Sequence, residues 1–82
     1  MHKEWNILVA IFQDYMKMHS HLHKFQEIPQ QYIDDVKKIY TQLIFQIKFI
    51  EKELPEHVLE QLTQIKSAIS NARLDYALAK VI

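Results

Sequence analysis

The sequence predicts an all-α fold: three long antiparallel helices in an up-down-up bundle, completed by dimerisation. Three observations carry that prediction. Apolar residues recur at spacings of three and four along almost the whole chain, the period of a helix face and not the alternation of a strand. Pro29 and Pro55 cut the 82 residues into thirds. Glycine is absent, so every connection has to be short and avoid backbone conformations that only glycine adopts at low cost.

The prolines set the element boundaries. Proline suits the first turn of a helix, where its missing amide would have no partner anyway. The residues before them, Ile28 and Leu54, are pushed away from helical geometry. The expected helices cover about 3–26, 29–53 and 55–80 of a single helical domain spanning 1–82. Each is about 35–40 Å long from the rise per residue of an α-helix.

Helix 1 offers a seam of Leu8, Ile11, Tyr15, Met18, Leu22 and Phe25. Its one soft point is Ser20, among the alternating histidines His19, His21 and His23. Helix 2 offers Ile33, Val36, Tyr40, Leu43, Ile47, Ile50 and Leu54, and Asp34 and Asp35 lie early in it. Helix 3 offers Val58, Leu62, Ile65, Ile69, Ala72, Tyr76 and Ala79, with Glu56 opening it and Lys80 closing it. Those charges complement the helix dipole. Every seam step is three or four, as in a bundle, and short connections force neighbouring helices to run antiparallel.

Charge narrows the partners. Lys and Arg total 10, as do Asp and Glu, and the balance holds within each third of the chain. A nucleic-acid binder would carry a basic excess or stripe, so none is expected as partner. Near-zero net charge favours self-association. There is no cysteine, hence no disulfide framework or thiolate chemistry. Without glycine there is no phosphate-cradling loop. The apolar run Ile7–Phe12 is too short for a membrane span or a signal-peptide core, so the expected location is cytoplasmic.

Helix 2 is apolar on two opposite faces. Ile39 and Ile44 widen its seam into one broad stripe, while Phe45 and Phe49 fall on the far side among Lys38, Thr41, Gln42 and Lys52. A small helical domain needs one apolar face for its own core, and a second implies a covering partner. The surplus continues elsewhere. From Trp5 to Phe12 helix 1 is apolar almost all round, and Val9 and Met16 lie off its seam. Leu74, Leu78 and Val81 form a second stripe on helix 3, opposite Ala72, Tyr76 and Ala79. The up-down-up order puts Trp5, Val9, Phe45 and Phe49 at one end of the domain, and Leu74 and Leu78 at the other. These six are the expected partner-binding residues.

Signals for chemistry are weaker. His19 and His23 sit one turn apart and could share a metal ion, but two ligands do not make a structural site. Histidines near a helix end are ordinary polar surface residues favoured by the dipole. Asp34 and Asp35 diverge by about 100° on a helix, so they do not form a catalytic dyad. Ser67 and Ser70 have no histidine near in sequence to activate them. No catalytic residue and no cofactor is expected. The reading is a non-enzymatic protein–protein interaction module: an adaptor, chaperone or inhibitor acting through the second face of helix 2. The alternative is a small metal-binding or metal-responsive protein using His19 and His23.

Overall fold

The computed structural model describes the backbone of residues 2–81 and, of the side chains, those of residues 3–22 and 24–72. Within them the chain is all-helical, with three helices and no strand: α1 at His2–Ser20, α2 at Gln30–Ile50 and α3 at Glu56–Val81. Short 3-10 turns at Leu22–Lys24 and Glu51–Glu53 follow the first two.

Helix α1 stops at Ser20, although its heptad spacing continues to Phe25. The local chemistry explains the stop. The Ser20 hydroxyl donates to the Lys17 carbonyl at 2.7 Å, a local bond that competes with the helical ladder. The His21 amide then turns back to the Met18 carbonyl at 3.2 Å, tightening the last turn to 3-10 form. Leu22 stays buried in the turn that follows, so the apolar spacing survives the loss of the α-helix.

Both prolines stand one residue outside their helices. Pro29 has extended geometry (φ −60°, ψ 142°), and its carbonyl accepts from the Tyr32 and Ile33 amides at 3.0 and 3.2 Å. Pro55 plays the same part for Val58 and Leu59, at 3.0 Å each. Leu54 before it is extended, as a residue preceding proline should be. The first turn of α2 is braced by side-chain bonds one turn apart, Gln30 to Asp34 and Gln31 to Asp35, a spacing that faces the partners toward each other.

The core follows the seams. Leu8 and Tyr15 of α1 meet Val36, Leu43, Ile47 and Ile50 of α2, Leu54 of the second connection, and Leu62, Ile69 and Ala72 of α3. No polar side chain is buried among the described residues. The molecule measures 43 × 19 × 16 Å, one helix long and two helices thick. Such a rod has a single layer of interior, and apolar residues beyond one stripe per helix have nowhere inside to go.

Polar contacts tie the helices at separate levels. Tyr32, near the start of α2, donates its hydroxyl to the Met18 carbonyl at 2.6 Å. Gln46, near the end of α2, donates its amide to the Glu4 carbonyl and carboxylate at 3.1 and 3.2 Å. Lys66 of α3 pairs with Glu51 at 2.8 Å.

Candidate protein-binding face

The α2 seam points inward, and this sets the direction of everything else on that helix. Leu43 is fully buried, while Val36, Ile47 and Ile50 are nearly so. Phe45 lies about 180° from that set at roughly 100° per residue, and Phe49 follows one turn later. They are 72% and 62% exposed. Burying a phenylalanine is worth roughly 2–3 kcal/mol, so the pair forgoes a stabilisation comparable to a good part of a small domain's margin.

Among the described residues Ile7 is a third large apolar side chain left open, at 38%. It shares a phase of α1 with Ile11, one turn on. Ile11 and Phe45 line a common shallow depression of about 360 Å³ between α1 and α2, together with Thr41, Gln42 and Gln46. The exposed surface is therefore a strip running from Ile7 and Ile11 across to Phe45 and Phe49. The i, i+4 spacing of Ile7 and Ile11 mirrors that of the two phenylalanines, and it was the available signal for including them.

Trp5 and Val9 stand elsewhere. Val9 is two residues from both Ile7 and Ile11, hence about 200° round the helix from each, and Trp5 shares its phase. Trp5 packs against the core and Val9 is half-buried. Trp5 and Val9 share the level of the end of α2, where Gln46 meets Glu4, and Ile11 is the α1 residue that lines the depression beside Phe45. Equal height along the bundle does not imply a shared side. Leu74 and Leu78 belong to the α3 backbone, but their side chains lie outside the described residues, as does that of His23.

A second groove, of about 410 Å³, runs between α2 and α3. Ile44, Ile47 and Ile69 line it, and the Lys66–Glu51 pair crosses its edge. Lys48 borders this groove and stands one turn from Phe45, so α2 forms a ridge with a depression on either flank.

The histidine reading changes in one respect. His19 is half-buried, not a surface side chain. Its ring meets Tyr15 edge-on with centroids 4.5 Å apart, and both ring nitrogens are shielded from solvent. A metal ion arriving from water finds neither nitrogen presented to it. Among the described residues no group of three or more His, Cys, Asp or Glu side chains converges. Asp34 and Asp35 are each held by a glutamine of their own first turn and do not face each other. Partial burial raises the pKa of Tyr32.

No described helix is long and apolar enough to cross a membrane. Comparison with family models, curated proteins and solved structures gives no match.

Proposed function

We propose that the chain is a non-enzymatic protein–protein interaction module, a small cytoplasmic adaptor, chaperone or inhibitor, acting through the outer face of α2. One observation carries the reading: Phe45 and Phe49 are exposed one turn apart while the opposite face of the same helix fills the core. Contiguous apolar surface of this kind on a small domain marks an interaction site. The helices are taken as an up-down-up bundle. Support comes from the Tyr32–Met18 and Gln46–Glu4 bonds, which join the start of α2 to the end of α1 and the reverse.

In the free protein the same face would be covered by a second copy, completing a four- or six-helix bundle, and a partner protein would displace that copy. The test is light scattering and sedimentation equilibrium on the wild type and on Phe45→Asp with Phe49→Asp. The expected result is a concentration-dependent dimer in the wild type and a helical monomer in the variant. A wild type that stays monomeric at high micromolar concentration sinks the homodimer. A variant that associates as the wild type does sinks the interface.

A further inference from the structure

The charge around Phe45 and Phe49 indicates what kind of chain would cover them. With Phe45 at zero and roughly 100° per residue, Lys38 falls near 20° and Lys48 near 300°, flanking the phenylalanines. Lys52, in the 3-10 turn that follows, continues the row. All three are exposed. Between residues 36 and 52 no carboxylate shares this arc: Glu51 points to the α3 side and is paired with Lys66. Asp34 sits three turns from Phe45 and is held by Gln30. On α1, Lys3, Glu4 and Asp14 border the strip with one lysine and two carboxylates, the Glu4 carboxylate taking the Gln46 amide at 3.2 Å beside the depression. Glu53 follows Lys52, exposed. The lysine row of α2 is the cationic side of the face.

We propose that the preferred occupant of this face is an acidic amphipathic helix from another protein. Its apolar i, i+4 and i+7 side chains would cover Phe45 and Phe49 and fill the depression beside Ile11. Its carboxylates would lie along Lys38, Lys48 and Lys52. The inference rests on reading this face as a protein-binding surface. An isologous contact offers the same patch on both sides, so a second copy brings the same three lysines back and makes the weaker complex. A bilayer is a poorer fit, because the surface between Ile11 and Phe45 is concave.

The experiment is selection from a display library of helical peptides with a fixed apolar i, i+4, i+7 stripe and randomised flanks, using the full chain as bait. Asp and Glu should be enriched in the flanks. Selected peptides should compete with self-association and weaken as salt rises. Lys38→Glu with Lys48→Glu and Lys52→Glu should lower their affinity by roughly tenfold or more and select Lys and Arg in their place. Circular dichroism of each bait variant confirms that it stays helical. Three results overturn the proposal. The selected flanks are neutral or basic; or no peptide displaces the second copy; or the face takes up anionic phosphatidylglycerol vesicles through the same residues while selecting no acidic peptide. Peptides that bind equally well to Phe45→Ser with Phe49→Ser instead sink the underlying reading of the face. Peptides that need the phenylalanines but carry no acidic flank sink the charge assignment alone.

Discussion

The Tyr32 hydroxyl donates to the Met18 carbonyl at 2.6 Å, so a side chain of the second helix closes the end of the first. Helix ends leave carbonyls without partners, and a glycine in left-handed geometry commonly satisfies them. This chain has no glycine, and no described residue has positive φ. The Met18 carbonyl takes the His21 amide and the Tyr32 hydroxyl instead. The Tyr32 ring also packs on Phe25, centroids 4.9 Å apart, holding the connection against the helix it leads into.

Tyr32→Phe keeps that ring contact and removes the hydroxyl. The expected cost is about 1 kcal/mol, or roughly 4–8 °C in Tm for a domain of this size. Thermal unfolding followed by circular dichroism measures it. An unchanged Tm would mean that water serves the Met18 carbonyl equally well.

Alkaline stability should report the same residue. Burial raises the Tyr32 pKa above its ordinary 10.0, so the folded state holds the phenolic proton more tightly than the unfolded chain. The contribution is fully present below pH 10 and is lost as pH rises through the folded value. Urea midpoints across that range should fall more steeply for the wild type than for Tyr32→Phe. Parallel slopes would contradict the assignment.

Leu43 and Phe45 are near neighbours in sequence with opposite duties. Leu43→Asp places an unpaired charge in the core and should cost about 4 kcal/mol or more, enough to unfold much of the population. Phe45→Asp with Phe49→Asp should leave the helical signal of the separated subunit intact. Equal loss of helix in both would show that folding and association are one event, as in obligate dimers.

His19 should behave as a packing residue. Zinc or nickel at roughly tenfold excess should leave Tm unchanged, since a ligand stabilises only by binding the folded state. His19→Ala should lower Tm through lost contact with Tyr15. A metal-induced rise in Tm that His19→Ala abolishes would revive the metal reading.

The Lys66–Glu51 pair is short but open to solvent, with side chains 47% and 43% exposed. Exposed pairs contribute about 0–1 kcal/mol. Lys66→Ala should therefore move the urea midpoint little. A large shift would indicate that the pair holds α3 against α2.

Much of the core was legible from spacing alone. Of the α2 seam, Ile33, Val36, Leu43, Ile47, Ile50 and Leu54 are all buried, because a helix buries whichever stripe repeats at its own period. The exposure of Phe45 and Phe49 was legible for the same reason, as their phase opposes the seam. Spacing misjudged the end of α1. Heptad period is shared by an α-helix and the buried turn after it, while the stop depends on hydrogen bonds from Ser20 and His21. For Trp5 and Val9, bundle order sets a height along the axis, but not which side of α1 faces α2.

The sequence by itself determined the helical class, the inward stripe of α1, of α2 and of α3 as far as Ala72, and the presence of unpaired apolar surface. These depend on residues near one another in the chain and on the fixed pitch of the α-helix. Tertiary structure decided the rest: that Ile11 lies beside Phe45, that the His19 ring nitrogens are shielded from solvent, and that Tyr32 closes α1. Each depends on the rotation of one helix against another. That rotation is set by how particular side chains interlock across the interface, where many pairings satisfy the same seam and packing selects among them.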